Sequence, residues 1–175
     1  FQESKVSKSL IDKDAIYSAE GNASVTSRNL VIGQNVAFGG EYGISTDPES
    51  FAVNGYRKYF TDRDQNVVCR LSMDGITPIS NFGMTDFFRD KLSTAVVGGI
   101  KGGWDAHNKQ YVVSIDNGIG PTPDGPAITG PIYSTLSFDE SVKGWTSLFD
   151  YKPNNIFSLN NDYFSDNEGK IYKHY

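Results

Sequence analysis

The chain has 175 residues, 38% hydrophobic, with 10 Tyr, 11 Phe, 18 Gly and 7 Pro; this suffices for one core of ordinary size and favours strands over helices. A formal charge of −5 and the lack of any Lys/Arg cluster argue against a phosphate-binding role, which normally brings a basic face. The single cysteine, Cys69, excludes an internal disulfide, and no apolar run is long enough to insert into a membrane.

Residues 1–14 are polar and read as an N-terminal arm or linker, in which Val6 and Leu10 alone would support a loose helical turn. With no Met at the start and a stop inside a hairpin pattern, residues 15–175 read as a fragment of a longer polypeptide. In AIYSAEGNASVT, Glu20-Gly21-Asn22 separates two short β-prone runs, a hairpin pattern. Gly33, Gly39, Gly40 and Gly43 then interrupt regular structure, and Asp47-Pro48 marks a turn.

The stretch KYFTDRDQNVVCRL predicts a hairpin. Tyr59 and Phe60 lie on the incoming strand and Asp62 to Asn66 form the turn. Period-two alternation puts Val67, Cys69 and Leu71 on one face of the outgoing strand, and Val68, Arg70 and Ser72 on the other. Asp74-Gly75 predicts the next tight turn.

One helix is predicted, over residues 84–92, as a short insertion on a β scaffold. Met84, Phe88 and Leu92 form its apolar stripe, Thr85 or Gly83 would cap it, and Asp86 and Lys91 complement its dipole. Strands resume with AVVGGIKGGWD, a turn at Ala106 to Lys109, and QYVVSID with Tyr111, Val113 and Ile115 on one face. The Pro/Gly segment from Asn117 to Pro131 predicts an exposed loop. Ile132, Leu136 and Phe138 then share one strand face, a turn spans Glu140 to Gly144, and Trp145, Ser147 and Phe149 follow. The last nineteen residues predict a further hairpin pair.

The closing DYFSDNEGKIYKHY nearly repeats the Lys58–Leu71 unit, and an aromatic residue beside an Asp recurs at Phe60/Asp62, Trp104/Asp105, Phe138/Asp139 and Phe164/Asp166. The step from Phe60 to Trp104 is about one four-stranded propeller blade, roughly 40 to 50 residues. The fold class expected is therefore all-β: antiparallel four-stranded blades of a β-propeller, incomplete in this chain. Aromatics between blades and Asp residues fixing turns explain the repetition without chemistry.

No catalytic, cofactor-binding or metal-binding residue is assigned. Asp62-x-Asp64-x-Asn66 opens like a calcium loop, but Val67 and Met73 stand where that loop needs Gly and Glu. Ser72-Met73-Asp74-Gly75 departs from the sialidase Asp-box, with its glycine one residue early and no Trp after it. The histidines, His107 and His174, read as exposed, and Cys69 reads as a buried hydrophobe.

Three blocks, Gly43 to Phe51, Tyr59 to Gly75 with Gly83 to Phe88, and Gly144-Trp145-Thr146-Ser147, carry a resemblance spanning about Ala15 to Tyr175. The chain resembles tailed-bacteriophage virion structural proteins of the tail and neck, of the β-propeller-bearing tail nozzle or muzzle type. The resemblance implies a structural component of the virion tail, assembled in the host bacterial cytoplasm and without enzymatic activity. It implies as partners other tail and neck proteins, copies of the same chain in a ring, and phage DNA in transient passage. The net negative charge suits a DNA conduit, since basic residues would retain the phosphate backbone. The alternative expectation is a receptor- or glycan-binding tail-tip domain, motivated by the aromatic supply and the Asn117–Pro131 loop, with a host-surface glycan as partner.

Overall fold

A computed structural model describes residues 1–9, 16–17, 23–24, 35–118 and 132–174. They form fifteen strands, two single-turn 3-10 helices and one α-helix. The chain is all-β in character, and every strand pairing among the described residues is antiparallel.

Four short strands come first. Strand β1 (Ser7–Ser9) pairs with β4 (Asn35–Ala37), and β2 (Ile16–Tyr17) pairs with β3 (Ala23–Ser24) as the predicted hairpin requires. The first sheet is a meander of β5 (Ala52–Asn54), β6 (Arg57–Asp62), β7 (Val67–Ser72) and β8 (Gly75–Pro78). A second meander contains β9 (Ile100–Asp105), β10 (Gln110–Asp116), β11 (Tyr133–Asp139) and β12 (Gly144–Phe149). The third has three strands, β13 (Asn155–Leu159), β14 (Asp162–Asn167) and β15 (Lys170–His174). Helix α1 (Thr85–Ser93) connects the first sheet to the second.

The pleat of β7 divides the first sheet as its alternation predicts. Cys69, Leu71 and Val67 join Phe60 on one face, where Val6, Phe38, Tyr42 and Ile44 cover them. On the opposite face Tyr59 and Val68 meet Tyr111, Val113, Ile115 and Phe138 of the second sheet, with Phe88 and Leu92 of α1. Fully burying one such aliphatic or aromatic side chain is worth about 1.5–3 kcal/mol, so this inter-sheet layer is the main source of cohesion.

The first strands of successive sheets lie side by side, β5 against β9 and β9 against β13. Strand β9 is pressed from both sides, and glycine makes that possible. A Cβ on Gly102 would lie 2.1 Å from the Ser50 carbonyl oxygen, and one on Gly103 would lie 2.1 Å from Ile156 Cγ2. Among the described residues the sheets form an open series and do not close on themselves.

Several local expectations are corrected. The N-terminal segment lies against the first sheet: Ser7–Ser9 form β1 paired with β4, the amides of Ile44 and Ser45 donate to the carbonyls of Gln2 and Glu3, and buried Val6 continues the β1 pairing, its carbonyl accepting the Phe38 amide. This is ladder pairing instead of a helical turn at Val6; Leu10 lies outside the described residues. Helix α1 is N-capped by Met84 with no side-chain cap, because Thr85 is already inside the helix. The tight turn after β7 is Met73-Asp74, since Ser72 pairs with Gly75, whose φ of 108° opens the next strand. The predicted loop falls largely on residues 119–131, outside the described residues. No described helix is long and apolar enough to cross a membrane.

Candidate functional site

The recurring Asp residues were expected to fix turns, and three of the four do. Asp62 accepts the Gln65 amide at 3.1 Å and the Gly43 amide at 2.9 Å. Asp105 takes the His107 and Asn108 amides, both at 3.0 Å, through one oxygen, and the Asn108 side-chain amide at 2.8 Å through the other. Asp139 takes the Ser141 amide at 2.7 Å and its hydroxyl at 2.6 Å, bonds that hold its carboxyl below the ordinary range. Such side chain-to-backbone bonding fixes a turn.

The fourth, Asp166, differs. It sits inside β14, its backbone carbonyl accepts the Asn154 amide, and its buried Oδ1 has no partner among the described residues. The closing turn is made instead by Glu168 and Gly169, both at positive φ. The two similar phrases thus share Tyr-Phe-hydroxyl-Asp on a strand, but their acids do different work.

Cys69 is fully buried, and burial raises its thiol pKa, as a core residue requires. His107 is exposed. His174 corrects the expectation of an exposed residue: its Nε2 lies 2.7 Å from Ser165 Oγ, and its ring packs on Tyr151 and Tyr163. Burial lowers its pKa, with Asp105 opposing in part. Among the described residues no cluster of three or more His, Cys, Asp or Glu is arranged to hold a metal.

What the linear reading missed is a cleft of about 830 Å³ where hairpin tips from all three sheets converge. The β5–β6 tip brings Asn54 and Arg57, the β9–β10 tip Asn108 and Lys109, the β11–β12 tip Asp139 and Glu140, and the β13–β14 tip Asn160 and Asn161. The last tip is a two-residue loop with φ of 49° and 67°, the left-handed pair of a type I′ turn, which Asn tolerates well.

Trp104 forms part of the wall. It is half-buried and stacks on Tyr59 at 5.5 Å and 15°. Its backbone carbonyl accepts the Ser158 hydroxyl. Glu140 is anchored behind it by the Tyr59 hydroxyl and by Arg70, each at 2.7 Å. Burial, then the Glu140 contact, pushes the Tyr59 phenol well above its usual range, so it stays a neutral donor. Each tip alone is an ordinary polar turn, and only the parallel stacking of three meanders assembles the cleft. Neither protein-family models nor curated proteins gave a match to this chain.

Proposed function

We propose that the chain is a non-catalytic structural module of a tailed-phage virion, in the tail or neck, and that its sheets are successive blades of a propeller-like scaffold. The observation that carries this reading is the internal occupation of the repeated motif. Of its aromatics, Trp104 and Phe138 belong to the layer between the first two sheets, Phe60 packs under Val6, Phe38, Tyr42 and Ile44, and Phe164 stacks on Phe157; three of its four carboxylates fix turns. A repeated unit so occupied is building material.

The adjacency of β5, β9 and β13 supports the blade reading, because first strands meet in that way around a propeller axis. The resemblance of the Gly43–Phe51, Tyr59–Gly75 and Gly144–Ser147 blocks to nozzle-type proteins supports the tail or neck station. The proposed partners are other tail proteins and copies of this chain in a ring, with DNA passing transiently. Purified particles test it directly. The chain is expected in them at a fixed stoichiometry and in ring-shaped density at the tail or neck; its absence from purified particles overturns the proposal.

A further inference from the structure

The cleft between the hairpin tips also presents groups that the scaffold leaves unused. At about 830 Å³ it lies within the range of small-ligand sites, roughly 300–1,000 Å³. Its carboxylates are already satisfied: Glu140 by Tyr59 and Arg70, Asp139 by Ser141. Its cations are not. Neither Arg57 nor Lys109 makes an ion pair among the described residues, so both are open to an anion in the cleft. The carboxamides of Asn54, Asn160 and Asn161 supply paired donors and acceptors around the rim. Trp104, braced from behind by Tyr59, offers a rigid apolar edge.

From these features we infer that the cleft binds a saccharide bearing an anionic substituent. Amides match ring hydroxyls, the indole edge gives apolar contact to a sugar's C–H groups, and the two unpaired cations take the charge. Carboxylated and phosphorylated sugars share this chemistry. Nucleic acid is a poorer fit to a chain of net charge −5 with only two cations at the site.

Binding to the intact chain is measured by calorimetry with three probes: a glucuronic-acid oligosaccharide, its carboxyl-reduced neutral counterpart, and a phosphorylated oligosaccharide. An acidic probe is expected to bind more tightly than the neutral one, and to weaken as salt rises. The two acidic probes distinguish carboxylate from phosphate as the preferred group. Arg57→Ala and Lys109→Ala should each weaken binding by about fivefold, the effect of losing one exposed charge contact worth about 1 kcal/mol. Both residues are exposed, so folding should be unaffected, and an unchanged melting temperature verifies that. Equal affinity for the neutral probe, no binding of any probe, or binding indifferent to both substitutions overturns the inference. The cleft is built within one chain, so these outcomes are independent of whether the chain is found in virions.

Discussion

The hydroxyl of Tyr59 donates to Oε1 of Glu140 at 2.7 Å, and Arg70 donates to Oε2 of the same carboxylate at 2.7 Å. Tyr59 and Arg70 are cross-strand partners on β6 and β7, so one side chain of the second sheet is gripped by two neighbouring strands of the first. The Arg70 and Glu140 side chains are only 18% and 12% exposed, so water cannot readily replace a lost partner. Glu140→Ala should therefore cost on the order of 3 kcal/mol, by stranding a largely buried guanidinium. Tyr59→Phe should cost about 1 kcal/mol, and the double replacement Arg70→Met with Glu140→Leu should recover most of the loss. Urea denaturation of the three variants measures this. A loss below 0.5 kcal/mol for Glu140→Ala, roughly the surface-pair value, would show that the contact does not hold the sheets together.

The spacing of the sheets depends on two adjacent glycines that fail in different ways when given a side chain. A methyl at Gly102 meets the backbone of Ser50, while one at Gly103 meets the branched side chain of Ile156. Overpacking typically costs about 1–3 kcal/mol, and backbone yields less than a side chain does. Gly102→Ala should fall at or above the top of that range and Gly103→Ala below it. Ile156→Ala should partly rescue Gly103→Ala and do nothing for Gly102→Ala, which a double-mutant cycle reads as coupling in one case only.

The sequence carried the strands well because turn signals bracket runs of β-favouring residues, and the pleat sends successive side chains to opposite faces. Cys69 and Val68 fall on opposite faces of β7, and Phe88 and Leu92 are both buried on α1, each as the periodicity implied. Turn boundaries slipped by a residue at Met73-Asp74, where a Gly at positive φ serves equally well inside the turn or just after it. The role of His174 was hidden because its partners, Ser165, Tyr151 and Tyr163, gather only when the third sheet forms. The cleft was hidden for a similar reason: Asn54, Lys109, Glu140 and Asn161 are scattered through the chain, and no local pattern links them.

The divergent acids of the recurring aromatic–Asp units give a further prediction. Asp105 anchors three hydrogen bonds of its turn, whereas Asp166 makes no side-chain bond to its turn and leaves one buried oxygen unpartnered. Asp105→Ala should cost about 1–3 kcal/mol, because the turn loses three hydrogen bonds to a charged acceptor. Asp105→Asn keeps one acceptor oxygen and should lose less. Asp166→Ala should be close to neutral or stabilising, since it removes an unsatisfied polar atom. Thermal unfolding of the three variants separates a shared structural role from this division of labour, and equal losses at Asp105 and Asp166 would contradict it.

Asp47 is one of the groups through which stability depends on pH. It is fully buried: Oδ1 accepts the Gly98 amide at 3.1 Å, and Oδ2 has no partner among the described residues. Burial raises its carboxyl pKa above the usual 3.8, with Arg63 and backbone amides opposing in part. The folded chain thus holds this proton more tightly than the unfolded chain does. Its contribution to stability is complete below pH 3.8 and is lost as pH rises through the folded pKa. Asp62 is shifted in the same direction, also chiefly by burial. His174, lowered by burial, acts oppositely: its contribution is present above pH 6.5 and is lost as pH falls through its folded pKa. Asp47→Asn removes one of these contributions and leaves the others. Relative to the parent, that variant should gain stability as pH rises from about 4 to 7, with a slope no steeper than about 1.4 kcal/mol per pH unit, the limit for one proton. Denaturant midpoints measured at several pH values test this. Parallel profiles for the two proteins would mean that the Asp47 carboxyl titrates alike in the folded and unfolded chains, and that its burial carries no electrostatic cost.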